Sequence, residues 1–201
     1  GKAYADILGH IVSRRVERDF RSHGIPLADV AFRYVDSSQS SGDERYIFSV
    51  FTSSSVLDEA VRQFASVLAA IDKRGVSRAE YQDAESGLVS ESKREDGGRA
   101  TSNREYVDRC ISAYLYGSGL NRSAAAGSVL SARSLPAGSE LELFNKYASA
   151  LLDSARNLTL RFDTPDDGVD REVLRNSFNA AWSEAAPVEV AYKEDFGDTL
   201  S

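Results

Sequence analysis

Two neighbouring stretches of the chain show an apolar side chain at every second position. This period of two runs through Val30–Val35 and again through Tyr46–Phe51. Such a period is typical of half-buried strands. The residues between them, Asp36–Glu44, are polar or glycine throughout, which suits an exposed loop. The pattern predicts a hairpin with a long loop, around which the rest of the chain packs.

Apolar residues at helical spacing flank this hairpin and continue after it. Stripes that recur every three or four residues predict amphipathic helices. The predicted helices cover Tyr4–Arg21, Leu57–Ile71, a segment starting at Arg78, Tyr106–Tyr114, a short segment at Ser123–Ser134, Leu141–Leu151 and Leu174–Trp182.

Helix starts and stops are also visible in the sequence. Ser54 or Ser55 is predicted to cap the second helix, and Gly24 and Gly75 are predicted stops. The capping-box pattern Ser-x-x-Glu, which pairs backbone N–H groups left free at a helix start, occurs three times. The three boxes are Ser77 with Glu80, Ser102 with Glu105, and Ser139 with Glu142.

A period of two returns late in the chain. Arg156–Asp163 is predicted as a third strand in the sheet of the hairpin, and Val188–Tyr192 as a further short strand. The order of elements is then helix, two strands, helices, strand and helix. This order predicts an α+β fold with a mostly antiparallel sheet and helices packed on one face.

Composition narrows the class of protein. The 201 residues, 42% of them hydrophobic, allow one large or two small domains. A net charge of −7 with dispersed Lys and Arg argues against a nucleic-acid surface, and no apolar run approaches the length of a membrane span. Cys110, the only cysteine, is expected in the core. Because the chain has no methionine, we expect it to be a piece of something longer.

The residue inventory gives little support for a catalytic centre within the chain. Zinc needs three or four close ligands, and the only histidines, His10 and His23, belong to no zinc-binding helix motif. Gly-x-Ser-x-Gly, the nucleophile motif, is absent, and no Lys follows Gly117–Gly119 at phosphate-loop spacing. Acidic pairs such as Asp166–Asp167 are better explained as solvated turns, although an unrelated carboxylate enzyme stays open.

Several segments together resemble the pitrilysin/insulinase-type zinc metallopeptidases, over about residues 4–165. The first helix ends in Phe20–Arg21 near Gly24, as in that family, and a strand pair follows. Gly75–Tyr81 is similar to the family's Gly-Val-Thr-x-x-Glu-Leu junction, and Tyr147–Leu160 to its closing helix and strand. Family domains begin with a strand ahead of the first helix, so the resemblance implies that this first strand is missing here.

The resemblance implies a role in a larger protease. Active members join repeated α+β domains around a peptide, one with zinc and another without it. Lacking the zinc motif, this chain resembles the second kind. The family then makes Arg21 the candidate substrate-binding residue, although Ala28 stands where its partner tyrosine is expected. A cation in the last turn of a helix is also favoured by the helix dipole alone, so that structural role stays open.

We therefore predict a non-catalytic domain over residues 1–165, followed by a helix and linker over 166–201 that lead toward a next domain. The predicted function is part of a peptide-binding chamber whose zinc lies in another domain of the parent, with no catalytic or metal-binding residue in this chain. The expected partners are the other domains of the parent and an extended peptide. The alternative is a structural or assembly domain of the same superfamily. The family also suggests an extracytoplasmic bacterial location.

Overall fold

The computed structural model describes residues 2–35, 45–98, 102–116, 139–153, 159–163 and 168–185. The strands are β1 (Leu27–Val35) and β2 (Arg45–Thr52). The helices are α1 (Lys2–Ser22), α2 (Leu57–Arg74), α3 (Arg78–Gly98), α4 (Asn103–Tyr116), α5 (Ser139–Leu152) and α6 (Arg171–Glu184). This arrangement confirms the predicted α+β class.

The predicted hairpin is present. β1 and β2 pair antiparallel, and Phe32 lies opposite Phe48 while Tyr34 lies opposite Tyr46. The ring centroids of these pairs are 4.9 Å and 5.0 Å apart. Aromatic cross-strand pairs on one face stabilise a sheet and fix its register. The same face packs against α1, where Gly9 leaves room for the ring of Phe32 that a Cβ atom would overlap.

The predicted third strand of this sheet is wrong over its described part. Thr159–Asp163 is not assigned to a strand, and the described sheet consists of β1 and β2. Leu160 and Phe162 are half-buried and pack among helices instead, while Arg161 between them is exposed. The period of two therefore reports an extended segment with one buried side. It carries no information about which backbone, if any, pairs with that segment.

α2 contributes to two clusters of buried residues from one broad apolar surface. Leu68 and Ile71 join a first cluster of seventeen buried residues contributed by α1, α2, α3, α5 and the turns at Ile25 and Val76. Val61 and Ala65, on the adjoining part of this surface, join a second cluster of five buried residues. Small apolar residues fill the positions between the stripe members: Ala60, Ala65, Val67 and Ala69. Glu59 and Arg62 are exposed on the remaining face, so α2 is an amphipathic helix with a broad apolar surface.

The second cluster joins α6 to α2. Leu174, Phe178 and Ala181 of α6 are buried in it, as the sequence predicts for that helix. Trp182 is half-buried and packs against both clusters. Because α6 packs on α2, the segment after residue 165 contributes to the described core. The division of the chain into domains at that residue stays a prediction.

The cap of α2 is displaced from its predicted place. Ser53, one residue earlier than the predicted Ser54 or Ser55, caps a short 3-10 turn over Ser54–Val56, and α2 follows with no side-chain cap. Its end is as predicted, because Gly75 follows Arg74 with φ of 72°. Only a residue without a Cβ adopts that φ readily.

α4 begins immediately after Ser102, as its predicted capping box requires, but its apolar side is not buried. Tyr106 is 62% exposed, Ile111 49% and Tyr114 90%. Cys110, expected in the core, is half-buried. No helix among the described residues is apolar over a length that would carry it through a bilayer. The short helix predicted at 123–134, the hairpin loop 36–44 and the strand predicted at 188–192 lie outside the described residues.

Candidate functional site

Arg21 lies in the last turn of α1 and is exposed. Its position is fixed by the way this helix ends. The backbone N–H of Gly24, at φ of 67°, donates to the carbonyl of Arg21, and the N–H of Ile25 donates to that of Phe20 at 2.9 Å. This pair of bonds is a Schellman motif, and Phe20 and Ile25 provide its hydrophobic contact within the first cluster. The backbone that carries Arg21 is therefore fixed by the turn that leads into β1.

The expected tyrosine partner of Arg21 has no equivalent at residue 28. Ala28 is exposed and lies in β1, where the pairing with β2 is irregular between Leu27 and Asp29. A bulge of this kind re-aims neighbouring side chains, but a methyl group offers no hydrogen bond. The side chain at position 28 therefore offers Arg21 no hydrogen-bonding partner.

The polar groups next to Arg21 are engaged with the helix end. The hydroxyl of Ser22 donates to the carbonyl of Asp19 at 2.8 Å, and Nδ1 of His23 lies 2.8 Å from the same oxygen. Arg18 contacts the carboxylate of Asp19 at 3.3 Å. The carbonyl of Asp19 also accepts from the backbone N–H of His23 at 3.1 Å, so these groups converge on one oxygen in the last turn. The hydroxyl of Ser22 also lies 3.1 Å from Nδ1 of His23, and both atoms contact the carbonyl of Asp19, so this exposed pair belongs to the helix end beside Arg21.

The histidines do not fit a zinc site. His10 lies in the middle of α1 and packs beside Gly87 of α3, whereas His23 follows the end of the same helix. At a rise of about 1.5 Å per residue they are separated by roughly 20 Å, far beyond the reach of one ion. Within the described ranges, no three side chains of His, Cys, Asp or Glu come together in a way that could hold a metal.

An ion pair between α1 and α3 is the main electrostatic feature that sequence reasoning missed. The guanidinium of Arg15 donates to both carboxylate oxygens of Glu80, at 2.8 Å and 2.9 Å, and Arg14 pairs with Asp83. Glu80 also completes the predicted capping box, since it accepts from the N–H of Ser77 at 3.0 Å. The box is readable from sequence, but its partner 65 residues away is not.

Two carboxyl groups of α3 have opposite pKa shifts. Burial alone would raise the pKa of Glu80, but hydrogen bonds from Arg15 and Ser77 outweigh burial and hold this pKa at about 2. Glu85 lies further along the helix, where burial and the nearby negative charge of Glu140 on α5 raise its pKa. These opposite shifts show that the groups around a glutamate, and not its residue type alone, set its pKa.

α5 clamps the turn between α2 and α3. Oδ1 of Asn145 accepts from the N–H of Val76 at 2.9 Å, and its Nδ2 donates to the carbonyl of the same residue at 3.3 Å. Val76 is buried, so these bonds satisfy groups that water does not reach. Ser149 of α5 donates to Asp72 of α2 at 2.8 Å. Nothing in the sequence near Asn145 distinguishes it from an ordinary exposed helical asparagine.

The fold thus defines an α+β protein in which a hairpin and a set of helices share one core. No family model matches the chain, and no curated protein matches it. Among solved structures it is similar to a predicted insulinase family protease from Yersinia pestis, with a TM-score of 0.64 and 14% identity. The match covers 89% of this chain and 38% of that one. At this identity the likeness shows a shared fold, and at that level it supports the resemblance found in the sequence.

Proposed function

We propose that the chain is a non-catalytic domain of an insulinase-type zinc metallopeptidase. In this role it forms part of a chamber for extended peptides, while another domain of the parent holds the zinc. The fold shared with a predicted insulinase family protease carries the proposal, because the chain accounts for only 38% of that protein. The separation of His10 and His23 supports a domain that leaves the metal to a neighbour.

Arg21 is the residue proposed to contact the peptide. It is exposed on a backbone fixed by the turn that leads into β1, and a guanidinium can donate two hydrogen bonds to one peptide carbonyl or carboxylate. The neighbouring hairpin offers backbone groups at its edges, which is how extended peptides commonly bind to sheets. Together these features suit a peptide that lies along the start of β1.

An NMR titration of the full chain with an unstructured peptide tests this role. Peptide-induced shifts should centre on the end of α1 and the start of β1. Arg21→Gln should weaken binding several-fold, whereas Arg18→Gln, an exposed arginine one turn earlier that pairs with Asp19, should leave binding unchanged. Equal losses in both variants would indicate nonspecific attraction to positive charge.

The assignment as non-catalytic has a separate test. The chain is incubated with zinc and a fluorogenic peptide, and cleavage of the peptide is followed by its fluorescence. We expect no metal-dependent turnover above that of zinc alone. Cleavage that requires both zinc and this chain would overturn the proposal.

A structural or assembly domain is the second candidate, and the exposed side of α4 favours it. Tyr106, Val107, Ile111 and Tyr114 leave about half or more of each side chain accessible. Large exposed apolar residues at helical spacing are typical of surfaces that contact other proteins. Absence of peptide binding, combined with concentration-dependent association that Tyr114→Ser reduces, would favour this role over the first.

A further inference from the structure

The contact between α6 and α2 forms a core of its own. Its five buried residues are Val61 and Ala65 of α2 with Leu174, Phe178 and Ala181 of α6. Half-buried residues that precede α6, Leu160, Phe162 and Val169, complete it. The first cluster draws its buried residues from α1, α3, α5 and other residues of α2. Apart from Trp182, which packs against both clusters, α6 is therefore supported by α2.

Few polar contacts fasten α6 to the rest of the molecule. Nζ of Lys73 donates to the carbonyl of Trp182 at 2.6 Å, and the hydroxyl of Ser177 donates to Asp58 at the surface. These bonds lie at the last and first turns of α2. Lys73 also reaches the carbonyl of Ser183 at 3.4 Å, but neither contact is an ion pair of the kind that joins α1 to α3.

α6 also depends on this contact for its own helical structure. Its 14 residues include Asn176, Ser177 and Asn179, which favour helices weakly, and Val173, Phe178 and Trp182, whose side chains are restricted in a helix. Helices of this length are marginal in water even with better sequences. The cap at Asp170, which accepts from the N–H of Glu172 at 2.9 Å, does not change that balance. Separation from α2 should therefore melt α6.

We infer that α6 is a displaceable helix, which leaves α2 and unfolds as one unit while the first cluster stays folded. Its departure exposes Val61 and Ala65 on one part of the apolar surface of α2. The adjoining part, with Leu68 and Ile71, remains held by α1, α3 and α5. Proteins often open in contiguous cooperative units of this size, and α6 is joined to the main core mainly through α2.

Native-state hydrogen exchange of the full chain tests the inference. The amides of α6 should exchange at least tenfold faster than the slowest amides of α1, with a weaker dependence on denaturant. Phe178→Ala should accelerate both sets, because it destabilises the folded state relative to every open form. Phe144→Ala, in the first cluster, should accelerate α1 at least tenfold and leave α6 unchanged, because both the closed form and the form with α6 open keep that cluster.

The outcome for Phe144→Ala is decisive. If α6 opens only when the whole chain unfolds, its amides will accelerate as much as those of α1, and the inference fails. If Phe144→Ala does not fold, Ile11→Val in the same cluster provides a milder change with the same expected pattern. Equal exchange rates for α6 and α1 in the unmodified chain would also overturn the inference.

Discussion

The two hydrophobic clusters to which α2 contributes differ in the polar contacts that reinforce them. The first cluster is large, and ion pairs, the Asn145 clamp and a ladder of aromatic pairs surround it. The second cluster is small and has the Lys73 and Ser177 contacts with α6 as its polar links between helices. Apolar burial supplies most of the free energy of folding, but paired polar groups fix which elements move together. The difference suggests that the elements around the first cluster stay folded together, whereas α6 can separate from them.

The largest expected effect comes from the aromatic centre of the first cluster. Phe144 is fully buried and contacts Tyr4 and Tyr81, with centroids 5.7 Å and 5.1 Å away. Phe144→Ala should lower the free energy of unfolding by about 3–5 kcal/mol, through lost burial and the cavity left behind. Phe178→Ala should instead bring the opening of α6, reported by Trp182 fluorescence, to lower denaturant. The later unfolding of the form with α6 already open, which is the main loss of helical circular dichroism, should change by less than about 1 kcal/mol. A single unfolding transition that both substitutions lower equally would contradict a difference between the two clusters.

Gly24 and Gly75 both have a positive φ, but the turn at Gly75 is crowded and the turn at Gly24 is open. Gly24 has no atoms near the position of a Cβ, whereas a Cβ at Gly75 would lie 2.9 Å from the amide of Asn145. Gly24→Ala should cost about 1–2 kcal/mol from backbone conformation alone. Gly75→Ala should cost about 2–3 kcal/mol, because it also displaces the clamp. Chemical denaturation measures both, and equal costs would show that α5 yields freely at this turn.

The clamp itself can be removed. Asn145→Ala deletes both hydrogen bonds to Val76 and leaves a buried N–H without its partner, so we expect a loss of about 2 kcal/mol in the free energy of unfolding. Lys146→Ala is the matched control, since this neighbour on α5 has only an exposed pair with Glu142. Ser177→Ala, which deletes a surface contact of the second cluster, should cost less than about 1 kcal/mol. A similar loss in all three variants would contradict the proposed difference in reinforcement.

The parts of the fold that the sequence predicts are those whose causes lie close by in the chain. The hairpin follows from its period of two, and the ends of α1 and α2 follow from Gly24 and Gly75, because each cause lies within a few residues of its effect. Segment 159–163 shows the limit, since an extended chain with one buried side has the same pattern whether it lies in a sheet or against helices. The exposure of α4 is likewise invisible, because a stripe predicts that a face is apolar and not what covers it.

The candidate site was predictable only in part, for the same reason. Arg21 could be placed at the end of a helix from its neighbours, and the structure supports that position through the Schellman motif. Its role with a peptide stays a prediction, because no local pattern defines a ligand. The pair Arg15–Glu80 and the clamp at Asn145 join residues 65 and 69 positions apart. Such contacts depend on how helices pack, which one sequence does not specify.

Acid should lower the free energy of unfolding, because it protonates Glu80 and so breaks the ion pair that joins α1 to α3. Because the pKa of Glu80 falls from 4.5 to about 2 on folding, its contribution to stability is present above pH 4.5 and is lost as pH falls toward 2. Solvent screens a partly exposed pair, so we expect a loss of about 1 kcal/mol or less. Denaturation between pH 2 and pH 7 measures it, and Glu80→Gln should flatten this part of the profile. An unchanged slope in that variant would mean that other carboxyl groups dominate the acid response.

The smallest effect should have the opposite sign and comes from Glu85. Its pKa is raised on folding by burial and by Glu140, so the contribution of Glu85 is fully present below pH 4.5 and is lost as pH rises through the folded value. At neutral pH the repulsion between the carboxylates of Glu85 and Glu140 opposes the packing of α3 against α5. Glu85→Gln should therefore raise the free energy of unfolding slightly at pH 7 and leave it unchanged at pH 3, whereas Glu80→Gln should lower it at pH 7. If Glu85→Gln destabilises the chain at pH 7 as well, the carboxylate has a stabilising partner that outweighs the repulsion from Glu140.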